Sequence, residues 1–583
     1  MAKNFLAGPS LKAQGQRNGF DMSYQNQFTA PFGMLLPCFF QRVNPDDKID
    51  LCLESQTICD GLTKPAFMRL KEHWDYYFIP ATQLWMPFDN FVTGQNSYFS
   101  QAVSYVNDGK VPSNVPCFTA QALQSMLKLM YTQQLKDEQG FSFYQGSFRL
   151  LDHLGYFNLS PWIGAVLDDD QDFKPFENDS SLYNLFPLLC YQKVYYDFYR
   201  NSKYEENRTQ CYNIDDLQDG FTISTLSDVA PTRFASWLSI HYRWQKKDYF
   251  TQTQPQVLPM SSDIGYTDLS QISISNLLNV PGIPSATSTQ VSSSQSQGIN
   301  LGQGVMVPRT TNNPVSNSTN VTAIRFAFAY DRLLRRMRQA GPDFDSQMLA
   351  QYGIRPYDAR HGKCTYLGGY TNQLSSKDVT NMTGDGIGDL AGQINSYSDN
   401  TKRHLHYHAK EHGYIIGIYS TSVDNMYQSY RTSRETMLRN RYDWFNPAFE
   451  NLGLQPVFEC EYDYTLPNQS APNSRGKFYN PQSRTSILGY VPRYSELKTH
   501  PDECHGLLCN YSNATGFREW NVQVNRTPYS VQALDKRTMQ LSPYQFDPVA
   551  GVQYDGTPYT DHFVVNCYTH SKKVSTMSVY EEF

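Results

Sequence analysis

The run Lys402 Arg403 His404 Leu405 His406 Tyr407 His408 Ala409 Lys410 Glu411 His412 Gly413 Tyr414 Ile415 Ile416 Gly417 Ile418 Tyr419 Ser420 holds the plainest strand in the chain and its densest group of metal-ligand side chains. From Tyr414 to Tyr419 the residues are aromatic and β-branched with one glycine, the composition of a strand covered on both faces. Ahead of it His404, His406 and His408 alternate, and a strand's period of two puts them on one face. An unbroken strand from His404 to Ser420 would have seventeen residues, beyond the usual length, so a turn or bulge is expected near Glu411 to Gly413. His404-x-His406 with Glu411 downstream approaches the metal-ligand pattern of cupins, which are themselves jelly-roll barrels. Against that reading, no glycine precedes His404 at the needed spacing, Gly417 falls one residue early, and no later histidine stands out as a further ligand. The alternative is a polar lead-in to a buried strand.

Outward from this run the chain reads as β with insertions. Residues 1–30 are polar, with Lys3, Lys12 and Arg17 and no acid before Asp21, and read as an extended N-terminal arm. Met34 to Val43 is an apolar strand, Asn44 Pro45 Asp46 Asp47 a turn, and Lys48 to Ile58 the next strand, together an antiparallel opening. Tyr76 to Ile79 is a strand stopped by Pro80. Ala120 to Gln134 carries Leu123, Met126, Leu127 and Met130 at helical spacing, and Leu182 to Arg200 reads as a second helix interrupted near Pro187. Short strands follow around Pro456 to Tyr464 and at Asp561 to Tyr568. With turn clusters between short strands and no βαβ rhythm, the fold class is all-β: a sandwich with long inter-strand insertions containing several helices.

From Gln252 to Val321 Ser, Thr, Asn and Gln dominate and charge nearly vanishes, which suits a surface insertion. The body, 31–583, is read as one sandwich domain containing this 252–321 insertion. Thr322 then opens a helix closed by Gly341 and Pro342. Phe326, Tyr330, Leu333, Leu334 and Met337 form its apolar stripe, and Arg325, Arg332 and Arg336 fall on another face. Three arginines in register suit a phosphate or carboxylate, or a solvated, ion-paired face.

Composition excludes several function classes. The 583 residues carry a formal net charge of −6 with only 18% charged side chains, which is not the signature of a stand-alone nucleic-acid binder. Aromatics make up 14%, with 42 Tyr and 34 Phe, a supply of large rigid side chains suited to extensive protein contacts. The eleven cysteines are scattered without a C-x-x-C pair, as in a chain with reduced thiols. No apolar signal region opens the sequence and no run of eighteen apolar residues occurs, so neither secretion by a signal peptide nor membrane insertion is expected.

Three further groups resemble sites. His500, Cys504, His505 and Cys509 lie within ten positions but match no zinc module, and packed thiols are the alternative. Gly384 Asp385 Gly386 Ile387 Gly388 Asp389 Leu390 Ala391 resembles a dinucleotide turn without its flanking strand and helix. Asp168, Asp169, Asp170 and Asp172 lack the alternation of a calcium loop. No nucleophile elbow, P-loop or zinc-protease motif is present, and neither an enzyme nor a cofactor or metal is expected.

Six segments in order carry a specific resemblance. They are Gly19 to Ser23 with Phe28 to Pro31, Arg69 to Pro80, Lys247 to Thr251, Tyr352 to Gly369, Glu411 to Gly417, and Arg441 to Asp443 with Leu452 to Val457. In these the chain resembles the major capsid proteins of the microviruses, small tail-less single-stranded DNA bacteriophages, on their gokushovirus-like side. The resemblance implies an eight-stranded antiparallel jelly roll, assembled as a homo-oligomeric T=1 icosahedral shell around a circular single-stranded DNA genome. It implies a virion capsid location, assembly in the bacterial host cytoplasm, and as partners a small basic DNA-packaging protein, minor pilot or vertex proteins and a host-cell surface receptor. In that family the insertion at the position of 252–321 builds a threefold protrusion, though little recognisable sequence is shared there.

Single strands are held by basic side chains and stacked aromatics without sequence readout. The inner-surface candidates are therefore the arm, Arg325, Arg332 and Arg336, and Lys246 with Lys247. Two other classes compete with the structural reading: a cupin-like metal-binding enzyme using His404 and His406, and a carbohydrate-binding or receptor-attachment sandwich.

Overall fold

Alternation between buried and exposed positions organises the longest strands into two facing antiparallel sheets. A computed structural model describes residues 17–59, 67–94, 114–157, 180–217, 221–254, 299–300, 306–307, 332–333, 336–337, 344–354, 362–374, 376–377, 393–424, 426–427, 432–441, 443–450, 454–462, 487–505, 508, 539–550 and 561–577. The chain divides into two compact units, one made of Met1–Pro255 and Pro356–Phe583, the other of Gln256–Arg355.

In the larger unit, β1 (Asn18–Asp21), β2 (Tyr24–Ala30), β3 (Leu36–Val43), β4 (Lys48–Cys59) and β5 (Leu70–Pro80) precede the long insertion. After it come β6 (Thr365–Leu374), β7 (Ser376–Lys377), β8 (Gln393–Asp399), β9 (Leu405–His408), β10 (Gly413–Val423) and β11 (Phe563–Ser575). The first sheet runs β1-β11-β4-β8-β7, with β2 also on β11 and β9 also on β4; the second runs β6-β5-β10-β3. The part of the 1–30 segment that is described, from residue 17, is largely strand: Asn18 lies opposite Ser575, and Ala30 opposite Phe563.

The run that opens the sequence reading splits as its length requires. β9 ends at His408, a bend follows, and β10 starts at Gly413 between β5 and β3. Covered on both faces, β10 is almost continuously buried. Its odd-numbered side chains face the other sheet: Tyr419 packs 4.6 Å from Trp74 and 5.3 Å from Phe28 of β2. The even-numbered ones face the helical layer, where the Tyr414 ring lies 6.2 Å from Phe186. Gly417 allows the close packing here, since a Cβ would sit 2.9 Å from both Phe39 Cβ and Tyr76 Cε1. A buried carboxylate also links the strands: Glu72 accepts hydrogen bonds from Ser55 (2.9 Å), Thr57 (2.6 Å) and Asn372 (2.8 Å), tying β5 to β4 and β6.

Several elements differ from the sequence expectation. β5 begins at Leu70, six residues before Tyr76, because Leu70, Glu72 and Trp74 continue the buried face. β11 runs past Tyr568 to Ser575 with the polar residues Thr569, Ser571, Lys573 and Ser575 on its buried face. Leu182–Asn184 is a short strand rather than the start of a helix; Asn184 Oδ1 accepts the Phe186 amide at 2.8 Å, and Pro187 sits in the first turn of the helix Phe186–Val194. That helix closes in a π turn, Tyr195–Tyr199, with the Arg200 amide on the Tyr195 carbonyl. The helix expected over Ala120 to Gln134 is present as Ala120–Thr132, its first turn capped by Thr119 Oγ1 on the Ala122 amide. Around Pro456 the chain forms a strand, Leu454–Phe458, paired with Ile487–Pro492, then a helical turn at Glu459–Tyr462. This pair supports a second small core of Tyr249, Phe250, Tyr427, Val457, Leu488, Val491 and Met539.

In the smaller unit, Ile299–Asn300 pairs antiparallel with Met306–Val307, and Phe344–Tyr352 is a helix. Of the helix expected from Thr322, residues 332–333 and 336–337 are helical and exposed, including Leu333 and Met337 of its apolar stripe. Phe326, Tyr330 and Leu334 lie outside the described residues, as does nearly all of 252–321. Among the described residues no helix is long and apolar enough to cross a membrane. Cys38, Cys52, Cys190, Cys211, Cys364 and Cys567 are buried free thiols, and burial pushes that of Cys567 up to about 12.

Candidate functional site

The three alternating histidines stand at the edge of the first sheet, where β9 pairs with the start of β4. His406 lies opposite Asp50 and His408 opposite Lys48. His404 Nδ1 sits 2.9 Å and His406 Nδ1 3.4 Å from the same Asp50 oxygen, with the two rings stacked 5.9 Å apart. His408 Nε2 meets Asp46 at 2.7 Å, and Arg17 pairs with the same carboxylate. The His408 hydrogen bond, helped by the Arg17 charge, holds the Asp46 carboxyl below its usual range. Each imidazole thus has a carboxylate neighbour from β4 or its preceding turn. All three histidines are at the surface, while Leu405 between them is buried. Among the described residues no three His, Cys, Asp or Glu side chains are disposed to hold a metal ion.

The remaining motif residues are dispersed. Cys504 is buried, His505 Nε2 lies 3.1 Å from Glu503, His500 Nδ1 lies 2.9 Å from the Pro501 carbonyl, and Cys509 lies outside the described residues. Gly384 to Ala391 and Asp168 to Asp172 lie outside them as well.

The basic candidates fall in both units. Lys246 Nζ is 3.6 Å from Asp424 Oδ1, which Lys71 Nζ approaches at 3.1 Å. Partial burial alone would raise the Asp424 carboxyl, but the two ammonium groups hold it below the usual range. Lys247 is exposed. Burial lowers the Lys203 ammonium, and the charge of Lys247 adds to that effect. Arg332 and Arg336 are exposed one helical turn apart in the smaller unit, and Arg325 lies outside the described residues.

Apolar side chains at the surface are the feature that residue types could not reveal. Trp444, Phe445 and Leu497 are 63%, 50% and 60% exposed. In sequence they look like core residues, and only their exposure in the folded chain separates them from it. Tyr397 of β8 and Val564 and Tyr568 of β11 are likewise exposed, on the outward face of the first sheet.

Comparison with known proteins bears on these surfaces. A family model described as capsid protein (F protein) matches residues 179–580. The chain is similar to capsid protein VP1 of Chlamydia phage 1, with 24% identity over 562 residues, covering 88% of this chain and 87% of that protein. It is also similar to capsid protein VP1 of Bdellovibrio phage phiMH2K, with 20% identity over 520 residues, 84% of this chain and 82% of that protein.

Proposed function

The chain belongs to the capsid protein (F protein) family, and from that premise we propose that copies of it close into an icosahedral shell around a circular single-stranded DNA genome. It is a structural protein of the virion capsid, not an enzyme, and it works by assembling with its own copies. The observation that carries the finer reading is the strand order. β2, β11, β4 and β8 with β9 fill four positions of one sheet; β3, β10, β5 and β6 fill four of the other. Chain order alternates between the two sheets in pairs wound around the sandwich, which supports an eight-stranded jelly roll, the architecture of many shell subunits.

A shell of this kind requires obligate contacts of about 2,000 Å² or more per interface. The exposed aromatic and aliphatic side chains on the isolated chain support such contacts. Genome contact is assigned to Arg325, Arg332, Arg336, Lys246 and Lys247. The exposed helical pair Arg332 and Arg336 and the exposed Lys247 are its best support, whereas the Asp424 pairing of Lys246 makes that residue the weakest member. With a net charge of −6, the subunit does not neutralise the genome alone, and a separate small basic packaging protein completes the reading, along with minor pilot or vertex proteins. Assembly is placed in the host cytoplasm, and the 252–321 insertion is assigned to a threefold protrusion that engages a host-cell surface receptor.

Electron microscopy of particles formed by the full chain tests the reading. Closed isometric shells are expected, and a discrete monomer or dimer under every assembly condition would overturn it. Replacing Arg325, Arg332 and Arg336 by glutamine should lower packaged DNA while shells still form; unchanged genome content would remove the arginines from the assignment.

A further inference from the structure

The surface around Trp444 is built as an anchor for a protein partner. Trp444, Phe445 and Leu497 project from two segments that the interior holds in place. The Asp443 carboxylate accepts the Arg439 and Asn440 amides, both at 2.8 Å, and these two bonds hold it below the usual carboxylate range. Asn446 Oδ1 accepts the Ala448 amide at 3.0 Å. The buried Tyr494 links the segments: its hydroxyl donates to the Trp444 carbonyl and accepts the Asn446 amide, each at 3.3 Å. The Phe445 ring meets the Tyr494 ring edge-on at 5.1 Å, and the Leu497 amide donates to the Tyr494 carbonyl at 3.1 Å. The backbone that carries the exposed groups is therefore held before anything touches it, so docking orders little main chain.

The composition of the rim selects the partner class. Arg439, Arg441, Asp443 and Glu450 flank Trp444 and Phe445 along the chain, and Arg493, Glu496 and Lys498 flank Leu497. Glu450 pairs with Lys498 at 3.2 Å, Glu496 accepts a hydrogen bond from Gln455, and the Arg493 guanidinium lies over Phe449 and Tyr494 at 5.2 and 5.1 Å. An apolar centre inside a rim of both signs is the anatomy of a protein interface, with Trp and Arg as its usual energetic anchors. A polyanion strand would call instead for a surplus of cations.

We propose that the Trp444, Phe445 and Leu497 face docks onto a second copy of this chain in the shell. The occupant is a second copy because the family assembles from copies of one subunit, and this clause rests on the capsid reading.

Hydroxyl-radical footprinting with mass spectrometry tests this on the full chain, in three states: dissociated subunits, DNA-free shells and DNA-filled particles. Modification of Trp444 and Leu497 should fall by about tenfold or more in DNA-free shells relative to subunits, as for side chains at an interface centre. Protection only in DNA-filled particles would reassign the face to nucleic acid and overturn the proposal, and equal modification in all three states would overturn it outright. Unmodified chains that form no shells under any condition would refute the capsid reading, and this one with it. As a second measurement, the double change W444A with L497S should raise the concentration for half-assembly by about tenfold or more while the circular dichroism spectrum is unchanged. Assembly at the unaltered concentration by that folded variant would also refute it.

Discussion

Replacing Lys573 by methionine is expected to be among the most damaging single changes in the sandwich. The Lys573 ammonium lies 2.7 Å from Asp47 Oδ2, with the two side chains only 7% and 0% exposed. Asp47 sits in the turn between β3 and β4, where the same oxygen also accepts the Asn44 amide at 2.8 Å. Its backbone carbonyl accepts the Ala409 amide at 2.9 Å, so the pair joins β11, this turn and the bend after β9. Taking away the ammonium leaves a carboxylate buried with one amide donor, a change that costs about 3–5 kcal/mol when a partner of a buried pair is removed. Asp47→Asn should cost a similar amount for the converse reason, whereas the double variant, which buries no net charge, should lose much less than the two singles combined. A double-mutant cycle by urea unfolding, followed by tryptophan fluorescence, measures this. With m of about 3 kcal/mol/M or above for so long a chain, each single variant should lower the midpoint by roughly 1 M. A shift below about 0.3 M, or simple additivity, would mean that the pair behaves as a solvated surface bridge worth about 0–1 kcal/mol, and the buried-pair argument fails.

Two further outcomes follow from the interior of the second sheet. Gly417→Ala should destabilise the sandwich by about 1–3 kcal/mol through overpacking, because the added methyl meets Phe39 and Tyr76 at 2.9 Å in the middle of the core; a melting temperature equal to that of the unaltered chain would refute it. His73, held by Ser422 at 2.7 Å and Thr371 at 3.1 Å, is lowered to about 3 by burial and by the neighbouring Arg243 and Lys71 charges. Its depressed value means that the unfolded chain binds the extra proton first, so its contribution to stability is present above the ordinary histidine range near pH 6.5 and is lost as pH falls towards about 3. His73→Gln should therefore flatten the stability profile across that window, and an unchanged acid slope in urea titrations from pH 7 to pH 4 would contradict the assignment.

The legible parts of the fold are those whose signal is local. Tyr414 to Tyr419 announces a strand because β-branched and aromatic residues in a short run suit a doubly covered position, and the length limit alone separates it from His404 to His408. The helix Ala120–Thr132 is equally plain, since its apolar residues recur at helical spacing behind a threonine cap. The second half of β11 is not legible, because its inward positions are Thr569, Ser571, Lys573 and Ser575, which residue type assigns to solvent. They are buried only because Asp47 and Gln41, far away in sequence, arrive to pair with Lys573 and Ser571.

For function the division is similar. The sequence by itself determined the all-β class and, through six ordered segments, the capsid family, because these depend on local pattern and on the order of motifs along the chain. It could not decide the role of the histidines, for a period of two says which side chains share a face and nothing of what stands opposite. Pairing β9 with β4 brought Asp50 beside His404 and His406, and the turn before β4 brought Asp46 to His408. Nor could it distinguish Trp444, Phe445 and Leu497 from core residues. Hydrophobicity is a property of the side chain, but burial belongs to the assembled chain, and only the tertiary structure left these three facing outward.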